Sequence, residues 1–327
     1  MPLSVLIAGI LITSLTFYAV LGGADYGGGV WDLLARGRRS GAQRELIAHA
    51  IGPIWEANHV WLILVVVVLF TAFPAAYARI AIGLHIPVVL LLIGIVFRGS
   101  AFTFRAYAPD DRSGRAWGHA FAIASLVTPV LLGIVVGAIS KGVVSYAKNP
   151  TLSSLFTWVS PFPFAVGLFA LVLFAFLAAV YLTVEAEDKE LRDDFRRRAI
   201  GAELVAGALA IVVFLLAEGE APHLRERLSS SWWTWPLQLS TAALATAALA
   251  TLVTRSYKWA RIFAIGQVSL ILWGWSLAQF PYLVVPDITV YSAAAAEATL
   301  QLISAALWLG ALLLFPSLIY LFRVFKR

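Results

Sequence analysis

The feature that most constrains this chain is a series of long apolar stretches that runs from its first residues to its last. A helix needs roughly 20 apolar residues to cross the hydrocarbon core of a bilayer. The sequence predicts transmembrane helices at about 4–35, 49–73, 76–104, 116–140, 158–185, 196–217, 232–254, 257–283 and 297–323. We therefore expect an all-α polytopic membrane protein with about nine helices, in which residues 1–327 form a single transmembrane domain.

The composition supports residence in a membrane and excludes several classes of site. Of the 327 residues, 61% are hydrophobic and 13% are charged, which is about half the charged share of a soluble domain. The first apolar stretch lacks a small-residue cleavage site, so we interpret it as a retained helix and not as a removed signal. The absence of cysteine excludes disulfide bonds, thiolate metal sites and covalently attached haem of the c type.

Basic residues are distributed unevenly between the two sets of predicted loops. Eighteen lie in the loops after helices 1, 3, 5 and 7 and in the C-terminal tail, against four or five on the other side. The positive-inside rule then predicts an outer N-terminus and a cytoplasmic C-terminus. The net charge of +6 is explained by these loops, so no nucleic-acid partner is expected.

A set of polar side chains lies inside the first four predicted helices, where an ionisable group facing lipid is costly. The set is Asp25, Glu56, Asn58, His59, Arg98 and His119. At 1.5 Å per residue, its charged members lie roughly 10 to 15 Å inside the cytoplasmic face. The similar depth predicts that the set shares one pocket.

Two roles remain open for this pocket. Carboxylates and imidazoles with bound water can conduct protons in a medium of low dielectric constant. Alternatively, Arg98 forms an ion pair with Asp25 or Glu56 that fixes the packing of the helices. The two roles are equally favoured for Asp25 and Arg98, whereas the position of Glu56 favours conduction.

Glycine and histidine provide further candidates. The glycine run around Asp25 lacks the Gly-Lys-Ser/Thr of a phosphate loop, and small residues at this spacing allow helices to approach closely. His85 is the candidate haem ligand, although a lone intramembrane histidine more often makes a packing hydrogen bond. The sequence shows no pattern of paired histidines on adjacent helices and no zinc signature.

Three stretches together resemble subunit II of the cytochrome bd-type quinol oxidase family. They are Gly22-Gly-Ala-Asp25-Tyr-Gly-Gly-Gly29, Ile51-Gly-Pro-Ile-Trp55-Glu56-Ala-Asn58-His59-Val-Trp61-Leu, and Phe97-Arg98-Gly. The second stretch is the most specific, and the later helices agree only in number and hydropathy. Within these motifs, Gly22, Gly27, Trp55 and Trp61 are the packing candidates.

The chain departs from the family pattern at three acidic positions. The family usually has Asp-Gly-x-Asp in the first helix, and here the first acid is Gly22. The usual Trp-Asp-Gly-Asn is Trp55-Glu56-Ala57-Asn58, and an acid that often begins the fourth helix is Gly118, beside His119. These differences imply that a cytoplasmic proton path through this chain is rerouted or weakened.

The resemblance implies a terminal oxidase of the bacterial inner, or cytoplasmic, membrane that oxidises quinol and reduces oxygen to water. Subunit I would hold two haems b and one haem d and would oxidise quinol at the outer face. The present chain would be its haem-free, non-catalytic partner, with a proton path and a surface for a bound quinone or lipid. A small single-helix accessory subunit is a further expected partner.

Two other classes of protein are compatible with membrane residence. A proton-coupled secondary transporter would use the same carboxylates, but it predicts polar residues in both halves of the chain, whereas here they concentrate in the first four helices. A self-sufficient haem protein needs two axial ligands that the sequence does not pair. The sequence therefore favours the oxidase subunit.

Overall fold

The computed structural model describes residues 2–52, 55–142 and 156–325. Within these ranges, eight helices are long and apolar enough to cross a membrane, and there are up to nine spans if the inclined pair Ser40–Ile51 and Glu56–Ala72 counts as one. The prediction of an all-α polytopic membrane fold is confirmed.

The described part of the chain is almost entirely helical. They are α1 (Leu3–Phe17), a π-helix (Tyr18–Gly22), α2 (Gly23–Leu33), α3 (Ser40–Ile51), α4 (Trp55–Ala72), α5 (Pro74–Gly83), α6 (His85–Ala106), α7 (Asp111–Lys141), α8 (Pro161–Glu185), α9 (Lys189–Glu220), α10 (Pro222–Ser230), α11 (Thr234–Val253), α12 (Tyr257–Gln279) and α13 (Glu297–Phe325). A two-stranded antiparallel hairpin, β1 (Tyr282–Val284) with β2 (Ile288–Thr289), lies between α12 and α13.

The structure divides two of the helices that the sequence predicts as continuous. The predicted helix at 49–73 corresponds to the end of α3 and to α4, whose axes are inclined by 54°. The predicted helix at 76–104 is α5 and α6, which are separated at the non-helical Leu84. Pro87 explains this second break, because proline has no N–H to bond the carbonyl oxygen of Gly83.

The predicted helix at 257–283 is also shorter in the structure, where α12 ends at Gln279 and the chain continues through Pro281 into β1. The residue before a proline is disfavoured in the helical conformation. The helix therefore ends just before Phe280, and the hairpin follows at the end of the bundle.

Small residues bring the central helices into close contact. A Cβ added at Gly27 would overlap the backbone carbonyl of Phe174 in α8, and one added at Gly133 would lie 2.6 Å from the Cα of Gly167. Backbones at such short range gain van der Waals contact without a side chain between them. As a result, α8 packs tightly against both α2 and α7, and most of its second half is buried.

Ion pairs join the helix ends on one face of the bundle, which we call the basic face. Arg39, before α3, pairs with Asp194 at 2.7 Å, and Arg105, at the end of α6, pairs with Asp32 at 3.1 Å. Arg255, before α12, lies 3.2 Å from Asp193. The basic loops after predicted helices 1, 3, 5 and 7 thus meet on one side of the bundle.

Burial differs greatly among the spans. In the apolar window of α8, 61% of the residues are buried, whereas only 6% are buried in that of α13. The centre of the bundle is therefore α8, surrounded by α2, α7 and α9. In contrast, α13 lies at the surface of this chain, beside α1 and α4.

We predict that Gly27→Ala lowers the thermal unfolding midpoint of the purified protein, measured by circular dichroism in detergent. The added methyl group meets a backbone oxygen of α8 that cannot move aside, and such overpacking costs about 1–3 kcal/mol. Gly9→Ala in α1 is the matched control, because nothing lies within 4 Å of its new Cβ. Equal midpoints for the two variants would contradict the close packing of α2 on α8.

Candidate functional site

The polar centre of the bundle begins at the π-helix that precedes α2. Asp25, in the first turn of α2, is 3% exposed, and its Oδ2 accepts a 2.7 Å hydrogen bond from Nδ2 of Asn58 in α4. The carbonyl oxygens of Val20 and Leu21 in the π-helix accept hydrogen bonds from Tyr181 (3.0 Å) and Asn58 (3.4 Å). A π-turn changes the backbone hydrogen-bond register and is often found at functional sites. Here its carbonyl groups hold the side chains that surround Asp25.

The two faces of α4 have opposite environments. Asn58 and Trp61 are buried on the inner face, where Trp61 stacks on Phe17 with ring centroids 4.5 Å apart. Glu56 and Ile63 are exposed on the outer face. Positions two apart in an α-helix differ by about 200°, so a helix that turns Asn58 towards Asp25 turns Glu56 away. The structure therefore places Glu56 on the surface of this chain, apart from the pocket predicted to contain it.

Two tyrosines and a histidine line the inner side of this centre. The hydroxyl groups of Tyr18 and Tyr26 lie 3.1 Å apart, and both residues are fully buried. The Tyr26 hydroxyl approaches Nε2 of His59 to 3.5 Å. Hydroxyl and imidazole groups can both donate and accept hydrogen bonds. The three side chains thus connect the interior of the bundle with the partly exposed His59.

Arg98 is the largest fully buried side chain among the described residues, with 1% of it exposed. Its Nε donates to Oγ of Ser125 in α7 at 3.1 Å, and its Cζ lies 4.6 Å from the ring centroid of Tyr26 and 5.1 Å from that of Phe121. A desolvated cation over an aromatic ring is stabilised by about 2 kcal/mol. Its Nη2 is buried and has no hydrogen-bond partner among the described residues.

The sequence predicts an ion pair of Arg98 with Asp25 or Glu56. The described contacts of Arg98 are with Ser125 and with the rings of Tyr26 and Phe121. The exposed Glu56 is not part of this arrangement. Asp25 and Asn58 are in direct contact, and Arg98 lies against the ring of Tyr26, the residue that follows Asp25.

An open groove of about 430 Å³ lies on the outer side of α4 and α6. Its lining residues are His59, Ile95, Val96, Gly99, Ser100, Thr103 and Phe104. Glu56 lies three residues before His59, and residues at this spacing are neighbours on a helix surface. The groove therefore lies next to the exposed carboxylate.

Three other predicted residues lie elsewhere. His119 is exposed in α7, with Nδ1 2.7 Å from the carbonyl oxygen of Arg115. His85 is exposed at the start of α6, with Nδ1 3.1 Å from the carbonyl oxygen of Ile82. The side chain of Trp55 lies outside the described part of the structure. Neither histidine lies at the buried centre.

The sequence interpretation did not single out Tyr18, Tyr26, Ser125 or the ion pair of the buried Asp32 with the partly exposed Arg105. Two signals were available. Tyr26 directly follows Asp25 in the motif, and Asp32 is seven residues from Asp25, which places both acids on one face of the helix. Tyr18 and Ser125 had no such signal, because their roles depend on how the helices are packed.

The five histidines of this chain are exposed or partly exposed. All five are in the described ranges, and they lie on five separate elements, α3, α4, α6, α7 and α10. His223 packs edge-on against Tyr282 at 5.1 Å, and burial together with the Arg227 charge lowers its pKa. Within the described residues, no group of three or more His, Cys, Asp or Glu is arranged to hold a metal ion.

Comparison with known proteins identifies relatives over the whole chain. Residues 3–325 match the family model of cytochrome bd terminal oxidase subunit II. The putative cytochrome bd menaquinol oxidase subunit II of Bacillus subtilis (strain 168) is 24% identical over 323 residues, which cover 95% of this chain and 92% of that protein. The cytochrome bd-I ubiquinol oxidase subunit 2 of Escherichia coli (strain K12) is 26% identical over 216 residues, 65% of this chain and 54% of that protein.

The fold also matches a solved structure. A chain of the bd oxidase from Geobacillus thermodenitrificans superimposes with a TM-score of 0.84, covering 99% of each chain at 22% identity. The helix arrangement described above is therefore that of a chain of this oxidase.

We predict that Arg98→Lys lowers the thermal unfolding midpoint by the equivalent of about 2 kcal/mol, because an ammonium group loses the planar contact with the two rings. Circular dichroism in detergent measures the change. Arg36→Lys is the control, since Arg36 is exposed on the basic face. If both variants have the same unfolding midpoint as the parent protein, the contact of Arg98 with the two rings does not stabilise the fold.

Proposed function

The chain belongs to the cytochrome bd terminal oxidase subunit II family, and from this membership we propose that it is the haem-free, non-catalytic partner of subunit I. Members of the family are multi-pass proteins of the bacterial inner membrane and subunits of a respiratory quinol oxidase. The match over residues 3–325 sets the transporter alternative aside. The observation that carries our proposal is the exposure of Glu56 on the apolar outer face of α4, where a carboxylate that faces lipid would be costly.

We place the haems of the complex, two haems b and one haem d, on subunit I. The exposed or partly exposed position of all five histidines supports that assignment. So does the size of its inner cavity of about 180 Å³, which has no histidine in its lining. Haem supplies the electron transfer and oxygen chemistry of such a complex, and the residues of this chain supply packing and proton handling.

The face that we assign to subunit I is formed by α4, α6 and α13. Glu56 lies near the depth of Asp25, which is eight residues from the end of α2, or roughly 12 Å at 1.5 Å per residue. A carboxylate at that depth is costly if it faces lipid. A protein partner on this face would cover Glu56 and the neighbouring exposed side chains, such as Trp308 and Leu312 of α13.

We assign Glu56 to the route by which protons from the cytoplasm reach the interface. His59 lies beside it at the groove and approaches the Tyr26 hydroxyl at 3.5 Å, so the interface connects with the buried centre. A proton that passes His59 then reaches the buried polar centre, which contains Asp25, Asn58 and Arg98. His119 is exposed on α7 and is a candidate for proton collection at the surface.

The groove beside Glu56 is also the place that we assign to a bound quinone or lipid. Its volume of about 430 Å³ falls in the ordinary range for small-molecule sites, and its lining combines apolar side chains with Ser100 and Thr103. We further propose that the basic face is cytoplasmic, which makes the N-terminus external. The clustering of basic loops on that face supports this orientation.

We predict that the protein, isolated by a tag on this chain in mild detergent, carries a second large membrane subunit. The reduced-minus-oxidised visible spectrum should then show haem b and haem d bands. A colourless protein that purifies alone would contradict the proposed partnership.

We also predict that Glu56→Gln lowers quinol-driven oxygen consumption several-fold and leaves the haem content unchanged, because the amide keeps the size of the side chain but cannot carry a proton. Oxygen uptake by the purified complex measures the effect. Glu45→Gln is the matched control, since Glu45 is exposed on α3. Equal turnover in both variants would remove Glu56 from the proton route.

A further inference from the structure

A buried carboxyl group outside the polar centre lies in the second half of the chain. Glu203 of α9 is 4% exposed, and its Oε1 accepts a 2.7 Å hydrogen bond from Nε2 of Gln267 in α12, which is 5% exposed. Glu203 is in none of the ion pairs found among the described residues. The proton route proposed above makes no use of this pair.

The pair lies near the middle of the membrane-spanning part of both helices. At 1.5 Å per residue, Glu203 is roughly 20 Å or more from each end of α9, and Gln267 is roughly 15 Å or more from each end of α12. Ala206, one turn from Glu203, and Ala264, one turn from Gln267, are buried in the main apolar cluster. A charged carboxylate is costly in such surroundings, where each polar group needs a partner inside the protein.

Two oxygen atoms of the pair lack a donor. Oε2 of Glu203 and Oε1 of Gln267 are both buried, and neither has a hydrogen-bond partner among the described residues. An ionised carboxylate and an amide oxygen only accept hydrogen bonds, so they cannot bond each other. A protonated carboxyl group has one O–H donor. A single proton on Oε2 of Glu203, donated to Oε1 of Gln267, therefore gives both oxygens a partner.

The helices that pack around Glu203 carry their ionisable groups towards the helix ends. In α9 itself, the stretch 199–217 contains no other charged residue, and α11 contains none at all. Those of α8 are Tyr181 and Glu185 in its last two turns, and those of α12 are Tyr257, Lys258 and Arg261 in its first two turns. The charged residues of α10 follow the far end of α9. These helices thus bring no counter-charge to the depth of Glu203.

We propose that Glu203 binds a proton at neutral pH and, as a neutral acid, forms a reciprocal hydrogen-bonded pair with Gln267. The pair joins α9 to α12, and both of these helices also pack on α8. This proton site lies on helices other than α2, α4 and α6. It is therefore separate from the polar centre and does not depend on the proton route proposed through Glu56.

The bound proton is tested by infrared spectroscopy of the protein, purified by a tag on this chain, at neutral pH. A protonated carboxyl group and a carboxylate absorb at different frequencies, so the difference spectrum of the parent minus Glu203→Gln identifies the form that is lost. We expect the C=O band of one protonated carboxyl group. Glu187→Gln is the matched control, because Glu187 is exposed between α8 and α9 and its replacement should remove a carboxylate band. A carboxylate band in the Glu203→Gln difference spectrum would overturn the proposal.

The pH dependence of unfolding is a second test. The folded chain holds a proton that Glu203 releases to water when the chain unfolds at neutral pH, so folding of the parent becomes less favourable as the pH rises from about 5 to about 8. Glutamine cannot ionise, and its amide can still pair with that of Gln267. We expect the thermal midpoint of Glu203→Gln, relative to the parent, to rise over this range by a few degrees. A difference that stays constant with pH would overturn the bound proton.

The pairing itself is tested by Gln267→Leu, which removes both the donor and the acceptor that face the carboxyl group. We expect a lower thermal midpoint by circular dichroism in detergent, because the buried acid is left without a partner. Gln301→Leu is the control, since Gln301 is exposed on α13. Equal midpoints for the two variants would overturn the role of the pair in joining α9 to α12.

Discussion

The burial of Asp25 and Arg98 among transmembrane helices is the constraint on which the rest of this structure depends. In a bilayer, water is absent and each polar group needs a partner inside the protein. Asp25 receives a donor from Asn58, and Arg98 lies against Tyr26, Phe121 and Ser125. These contacts require α2, α4, α6 and α7 to meet at one depth. The glycines of α2 permit that meeting, because side chains in their place would collide with α7 and α8.

The same constraint divides the polar residues of α4 into two groups with different partners. Asn58 faces the interior because Asp25 needs it, and the helical repeat then directs Glu56 outward. Asn58, which bonds within this chain, and Glu56, which we assign to the contact with subunit I, therefore lie two positions apart in one motif. This division agrees with our proposal that subunit I covers Glu56.

The second half of the chain has a different part in the architecture. Most of α8 is buried against α2, α7 and α9, so it is the scaffold that holds the polar centre in place. In contrast, α13 buries little of its surface and lies beside α4 on the face assigned to subunit I. The basic face joins the two halves through Arg39 with Asp194 and Arg105 with Asp32.

The sequence by itself determined the membrane fold, the approximate extent of most helices and the family. Each of these follows from local properties, namely hydropathy over about 20 residues, the composition of loops and short motifs. It did not determine that Glu56 faces outward, that Tyr18 and Ser125 contribute to the polar centre, or that the predicted helix at 76–104 is interrupted at Leu84. The rotation of a helix about its axis depends on which of its side chains finds a partner on another helix. Only the packing of the helices decides that choice, because residues far apart in sequence, such as Asp25 and Asn58, must meet before either orientation is favoured.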